Sequence, residues 1–386
     1  MKPSFPEKCG RAQAGVLAVL SMIMIWLPTF DSFLHLDKAP VTNENRAMAG
    51  FPKFQSGSEG LREYITGLDL YFNDHFGFRK RLIRWQHRWK RQLFNESEGK
   101  DVIVGRDGWL FYSGEDMIEN VQGINPFTPD ELKAWQSLLE SRRDWCVRHG
   151  SAYIFVIPPD KHSIYPEYLP DWLLPVKKPD KLDQFMAYMK TNSTVPILDL
   201  RPALLAAKTN GILYFSTDSH WNYLGAFVGC QSLVGTLSGQ LPGLKPLPLA
   251  AFEWQFTPQA GKDLARMLGL EQSTAEKANV LFSLRPPLKP LSVTIDTNLL
   301  IKIRTKETAP MVTENPDGKG NAVLFQDSFG RYCVPYLGYQ FNKVFYIWQY
   351  DWDMVLLEQQ KPDVVIDEML ERYLISMDPA SLKEIK

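Results

Sequence analysis

Short apolar runs alternate along this chain with longer stretches in which apolar positions recur every three or four residues. Val102 to Val104 and Trp109 to Tyr112 flank Gly105-Arg106-Asp107-Gly108, a strand–turn–strand pattern that predicts a hairpin. Thr128-Pro129-Asp130-Glu131 opens an amphipathic stretch. It predicts a helix over 129–149 with Thr128 as N-cap and Glu131 as capping-box partner. Ala152 to Ile157 is an unbroken apolar strand ending in Pro158-Pro159-Asp160-Lys161. A helix over 179–192, a strand at Val195 to Leu198 and a helix from Tyr223 to Leu237 follow. Val323 to Phe325, Lys343 to Ile347 and Val364 to Ile366 read as further buried strands with helices between them. Alternation of this kind predicts an α/β domain with a mostly parallel sheet and helices on both faces. Residues 238–315 break the rhythm. They are Pro-rich, strand-like only at Leu291 to Arg304, and read as an insertion carrying a β element.

The N-terminal third has a different pattern. Residues 14–30 (AGVLAVLSMIMIWLPTF) are apolar and uncharged, follow Lys2, Lys8 and Arg11, and precede Asp31. About 17–20 such residues cross a bilayer as a helix, and the basic leader keeps the N-terminus in the cytoplasm. No small-x-small cleavage site follows at Phe30-Asp31-Ser32-Phe33, so an uncleaved anchor is expected rather than a removed signal peptide. Residues 31–60 read as a linker and 61–95 as helical. In the latter, Leu82, Trp85, Trp89 and Leu93 form an apolar stripe beside Arg79, Lys80, Arg81, Arg84, Arg88, Lys90 and Arg91. That basic face is either simply solvated or attracts an anionic polymer or lipid head groups. The expected organisation is a leader (1–13), an anchor (14–30), linker and basic helix (31–95), and a large domain (96–386) with the insertion at about 238–315.

With 386 residues and a net charge of −1, the chain can bury a large core and has no overall charge suited to nucleic acid. Cys146, Cys230 and Cys333 fall on the exported side of the anchor, where a Cys230–Cys333 disulfide and buried thiols are both open readings. There is no Cys-x-x-Cys, no His-x-x-x-His and no phosphate-binding glycine loop, so neither a metal nor a nucleotide cofactor is implied.

Two segments carry candidate chemistry: Thr217-Asp218-Ser219-His220-Trp221-Asn222 and Ala322 to Gly330 (AVLFQDSFG). On an extended stretch Asp218 and His220 leave the same face, where a carboxylate fixes the imidazole tautomer. Ser328 follows an apolar strand and precedes Phe-Gly, a setting that raises a serine hydroxyl above an α/β sheet and aims backbone N–H groups at an oxyanion. Read locally, Asp-x-His pairs are common and Asp327-Ser328 also suits a helix cap.

Six segments in order widen the picture: YFNDHFGFR (71–79), VIVGRDGWLFY (102–112), VIPPDKHSIYPEYLP (156–170), DSHWN (218–222), DSFG (327–330) and KPDVVIDEMLERYL (361–374). Together they resemble the SGNH-hydrolase-like polysaccharide O-acetyltransferases typified by the alginate acetylation proteins AlgJ and AlgX. The resemblance implies a triad of Asp218, His220 and Ser328 in an SGNH-like sheet. The order Asp…His…Ser reverses the common SGNH order and resembles a circular permutation. Gln326 stands where many SGNH proteins have Gly. The resemblance also implies transfer of acetyl groups to an exopolysaccharide, and a periplasmic domain on an inner-membrane anchor. Its partners would be a membrane-bound O-acyltransferase relaying the acetyl group and other polymer synthesis and export proteins. Lys161, Trp221, Asn222 and Tyr350 are the candidate acceptor-binding residues, Lys161 for an acidic sugar and the aromatics for sugar faces; core packing for the aromatics and a solvated loop for Lys161 are the alternatives. A carbohydrate esterase using water, or a non-catalytic polysaccharide-binding component of an export complex, would carry the same residues.

Overall fold

The computed structural model describes residues 50–53, 58–75, 101–173, 179–256, 259–276, 280–284, 292–295 and 310–385, with Met22 and Asp31 singly. The expected anchor (14–30, Met22 apart) and the basic stripe (79–93) lie outside the described residues. Among those described, no helix is long and apolar enough to cross a membrane. The chain divides into two compact units, one of residues 1–99 with 266–270 and one of residues 100–265 with 271–386. The first contains helix α1 (Ser58–His75), on which Tyr71 meets Phe51 edge to face.

The second unit opens with the hairpin β1 (Val102–Val104) and β2 (Leu110–Tyr112). Its turn bends at Asp107 and Gly108, both with positive φ, a region Asp tolerates and Gly occupies freely. Helix α2 (Pro129–Arg148) starts with a complete capping box: Glu131 N–H donates to Thr128 Oγ1 at 3.2 Å and Thr128 N–H to Glu131 Oε2 at 2.7 Å.

The remaining strands are β3 (Ala152–Ile157), β4 (Ile197–Asp199), β5 (Phe252–Phe256), β6 (Val280–Leu284), β7 (Ser292–Ile295), β8 (Met311–Glu314), β9 (Asn321–Gln326), β10 (Lys343–Trp348), β11 (Trp352–Asp353), β12 (Val364–Glu368) and β13 (Glu384–Ile385). Seven of them form a central sheet in the order β4-β3-β12-β9-β10-β8-β7. The first five are parallel, and β8 and β7 add to β10 antiparallel. The sheet is therefore mixed. Part of the segment read as an insertion, 238–315, belongs to it: β7 and β8 extend one edge, while β5 and β6 form a separate antiparallel hairpin. β7 lies within the stretch read as strand-like, 291–304, whereas β8 lies beyond it.

Alternate residues of the central strands serve opposite faces, as the pleat requires. Ile154, Val156, Leu324, Tyr346 and Ile366 join one apolar cluster, with helix α4 (Tyr223–Leu237) over it. Tyr153, Phe155, Val323, Phe345 and Val365 join the other, with α2 and α3 (Lys181–Asn192). On that second face Asp367 is buried and paired with Arg142 at 2.8 Å, and also accepts from Tyr153 and Trp352. Counted from β9, the parallel strands lie in the order 2-1-3-4-5, but the chain enters at the fourth. Such a sheet reverses direction between its first and third strands, and ligands bind beyond the carboxyl ends there. Here that point lies between β9 and β12.

Candidate active site

β9 ends at Gln326, and Ser328 stands two residues beyond it, at this switch point. Asp327 fixes the turn. Its N–H donates to Glu368 Oε2 at 2.9 Å, its Oδ1 accepts Phe329 N–H at 2.8 Å, and its Oδ2 accepts Tyr350 O–H at 2.7 Å and Leu370 N–H at 2.9 Å. The chain then enters a short 3-10 helix at Gly330–Cys333. Gln326 packs directly on Gly330: a Cβ at Gly330 would meet Gln326 Oε1 at 2.4 Å and its Cβ at 2.6 Å. Within the described residues, Ser328 N–H has no acceptor.

The Asp-His segment is not an extended strand. A bridge between Tyr214 and Trp221 closes a loop, and Asp218 Oδ1 accepts both His220 N–H at 3.1 Å and His220 Nδ1–H at 2.6 Å. The Asx-type turn brings the two side chains together, which an extended backbone does not do for residues at this spacing on its own. With Nδ1 so engaged, His220 Nε2 faces Ser328 Oγ at 2.7 Å. Asp218, His220 and Ser328 thus form one hydrogen-bonded line.

Two buried ionisable side chains hold this loop. The Glu276 carboxylate accepts from the N–H and hydroxyl groups of Ser216 and Thr217, at 2.6–2.9 Å. Lys161 Nζ donates to the carbonyls of Phe215, Ser216 and Asp218, at 3.0, 3.3 and 2.6 Å, and lies over the rings of Trp109 and Phe111. One anion gathers donors and one cation gathers acceptors, so little of the loop's polar backbone is left unpaired.

Burial alone would neutralise both Asp218 and His220, but their mutual attraction prevails. It holds the Asp218 carboxyl well below the usual carboxylate range and lifts the His220 imidazolium above its ordinary value. Burial lowers the Lys161 ammonium to about 8, opposed by the charges of Asp263, Asp218 and Glu276.

The structure corrects three of the four expected acceptor-binding residues. Lys161 is buried at 2% exposure with all three donors directed to backbone carbonyls, leaving none for an acidic sugar. Trp221 lies in the core, its indole N–H donating to Phe329 O at 3.1 Å. It fits because α4 carries glycines facing it; a Cβ at Gly229 would meet its ring at 2.9 Å. Asn222 is fully buried as the N-cap of α4, accepting from Leu224 and Gly225 N–H. Tyr350 is half-buried and donates a hydrogen bond from its hydroxyl to Asp327 Oδ2 at 2.7 Å. Lys161, Trp221 and Asn222 build the site's frame. Cys146, Cys230 and Cys333 are buried free thiols, and Cys230 and Cys333 are neighbours.

Sequence reasoning missed Glu276 and Asp263, both in the region assigned to an insertion. Asp263 opens a short helix, α5 (Asp263–Met267), and accepts Ser219 N–H at 2.9 Å and Ser219 O–H at 2.7 Å. Its only sequence signal is an Asp at a helix start. Asp218, His220 and Asp263 bring potential ligand atoms within 4.8 Å of one another, yet in this arrangement each is already hydrogen-bonded to a protein group.

The parallel strands thus form a permuted 2-1-3-4-5 sheet with a Ser-His-Asp line at its switch point. Residues 102–286, just under half of the chain, match the family model for the SGNH hydrolase-like domain of acetyltransferase AlgX, a span that includes Asp218 and His220 and stops short of Ser328. Among curated proteins, the chain is 32% identical over 149 residues to the probable alginate O-acetylase AlgJ of Pseudomonas putida, covering 39% of this chain and 37% of that protein. It is 27% identical over 289 residues to the probable alginate O-acetylase AlgJ of Pseudomonas syringae pv. tomato, covering 73% and 65%. The chain thus spans less than two thirds of the length of these relatives. Among solved structures, PatB1 of Bacillus cereus, in a form with a sulfonyl adduct, shares the fold with a TM-score of 0.54 at 17% identity, over 74% of this chain and 99% of that one.

Proposed function

We propose that this chain is an O-acetyltransferase that moves acetyl groups through an acyl-serine to hydroxyls of an exopolysaccharide, alginate-like or another secreted polymer. The observation that carries this is the line Asp218 Oδ1–His220 Nδ1 at 2.6 Å and His220 Nε2–Ser328 Oγ at 2.7 Å. The names of the AlgJ relatives support the reaction and polymer class.

In the first half-reaction Ser328 Oγ attacks the donor's acetyl carbonyl while its proton passes to His220 Nε2. Asp218 stabilises the imidazolium that forms. Ser328 N–H, free of a protein acceptor among the described residues, donates to the developing oxyanion. The imidazolium then protonates the leaving group, and acetyl-Ser328 remains. In the second half a sugar hydroxyl gives its proton to His220 Nε2 and attacks the acetyl carbon, and Ser328 regains its proton as it leaves.

The uncharged run 14–30 after a basic leader supports a single-pass inner-membrane anchor with the catalytic domain in the periplasm. Acetyl-CoA would then lie across the membrane, so a membrane-bound O-acyltransferase is the proposed relay of the acetyl group, working with polymer synthesis and export proteins. A periplasm-dependent reporter fused after Lys386 tests the topology; activity of a cytoplasm-only reporter there rejects it. The reaction is tested by giving the purified chain an acetyl ester and an unacetylated oligosaccharide. Acetylated sugar is the expected product, and Ser328→Ala should abolish both transfer and donor hydrolysis. Hydrolysis alone with every acceptor favours the esterase, and intact polymer acetylation in Ser328→Ala cells favours a scaffold.

A further inference from the structure

Ordinarily one carboxylate orients the imidazole of a serine triad. Here a second stands beside it. Asp263 Oδ2 lies 3.7 Å from His220 Nδ1, while the same carboxyl accepts both the N–H and the O–H of Ser219, the residue between Asp218 and His220. The Asp218, His220 and Asp263 side chains bring their polar atoms within 4.8 Å of one another, so the two carboxyl groups repel when both are ionised. Asp263 enters from α5, an element separate in sequence from the Asp-His loop, and its backbone meets that loop too: Leu264 N–H donates to Thr217 O at 3.1 Å. The arrangement is built from both side chain and backbone, and it leaves the Asp263 side chain about a third exposed, at 35%, against 19% for His220.

We propose that Asp263 is a positioning residue that holds the Ser219–His220 segment in register with Ser328 and, through its charge beside Nδ1, sets the basicity of His220. This rests on the acyl-serine reading only for its catalytic consequence; the effect on His220 itself does not depend on any substrate. Burial and the Asp218 charge raise the Asp263 carboxyl to about 6. Below that pH it is protonated. Above it, a second negative charge adds to the one already stabilising the imidazolium. The other titratable or charged groups acting on this cluster are Lys161, Tyr332 and Arg372. Lys262, next to Asp263, places its Nζ over the Phe215 ring at 4.3 Å, pointed at the loop's aromatic side chain. His220 titrates above its ordinary value, where Asp263 is already ionised, so removing the Asp263 charge makes His220 a weaker base.

The test is the titration of His220 in the full chain carrying 13C-labelled histidine rings, with its resonance assigned by its disappearance in His220→Asn. Asp263→Asn keeps the shape and the acceptor for Ser219 N–H but removes the charge. It should lower the His220 midpoint by about one pH unit, and Asp263→Glu should restore most of that shift. The acid limb of acetyl-ester turnover should move to lower pH by the same amount, with the maximal rate reduced and KM for the donor unchanged. An unmoved His220 midpoint in Asp263→Asn overturns the proposal, as does a fall in turnover with no movement of the acid limb. If wild type shows no turnover at all, the acyl-serine reading fails, and the ring titration still decides the role of Asp263.

Discussion

Replacing Lys161 with Met keeps the length and apolar stem of the side chain and removes the ammonium that three loop carbonyls share. The wild-type hydrogen bonds, at 3.0, 3.3 and 2.6 Å from a charged donor, are worth about 1.5–3 kcal/mol each, about 5–9 in all. Against this stands the penalty of burying the charge. Burial lowers the ammonium from 10.5 to about 8, and at about 1.4 kcal/mol per unit that is about 3–4 kcal/mol. Lys161→Met should therefore destabilise the fold by about 1–6 kcal/mol. The sign with pH follows from the depressed value. The penalty is fully present below about pH 8 and is relieved as pH rises toward 10.5, so wild type should gain stability over the variant across that window. Function discriminates more sharply than stability. The carbonyl of Asp218 is one of the three acceptors, so losing the clamp should misplace the carboxylate that orients His220. The expectation is a fall in kcat of about tenfold or more with KM for the sugar acceptor unchanged. Urea unfolding across pH and steady-state kinetics with an acetyl ester and an oligosaccharide make the measurements. A raised acceptor KM with an unchanged kcat would refute the reasoning and return Lys161 to the role of a sugar ligand.

Two further outcomes are expected. His162 is buried against Phe111, and burial together with the charges of Arg372 and Lys161 pushes it down to about 3. The folded chain excludes a proton that the unfolded chain takes up below about 6.5, so this group's contribution is lost as pH falls. At pH 4.5 it should weaken the fold by about 2–3 kcal/mol relative to pH 7, and His162→Gln should remove that difference from urea titrations; an identical pH slope in the variant would count against it. Gly330→Ala should press on Gln326, with contacts of 2.4 and 2.6 Å to relieve, and destabilise by about 1–3 kcal/mol while lowering kcat. Adding Gln326→Ala should recover part of both, and a strictly additive double variant would show that the two side chains do not compete.

The elements visible in the sequence are those with strong local signals. Thr128 and Glu131 announced α2 because a capping box is a local motif, and the run Ala152–Ile157 was legible because both faces of β3 are buried. Asp218, His220 and Ser328 were legible because each sits in a short segment of characteristic composition. Trp221 was misread as an acceptor-binding residue for a reason equally local. It lies beside a motif in sequence, but whether it faces a groove or the core depends on glycines one and two turns along α4. Asp263 and Glu276 had no such signal. They reach the loop from a stretch of weak alternation, and only the tertiary fold shows that its carboxylates pair with Ser216, Thr217 and Ser219. The antiparallel join of β8 to β10 was hidden likewise, since β8 is four residues long and its two buried positions, Val312 and Thr313, are adjacent rather than alternating.

The central claim is that Ser328 carries the acetyl group. Intact mass measurement of the full chain after brief exposure to an acetyl ester, followed by peptide mapping, tests it most directly. The account predicts one added acetyl group on the peptide containing Ser328, removed on adding an oligosaccharide acceptor, lost in Ser328→Ala and greatly slowed in His220→Ala. Acetylation at another residue, or turnover that persists in Ser328→Ala, would contradict it.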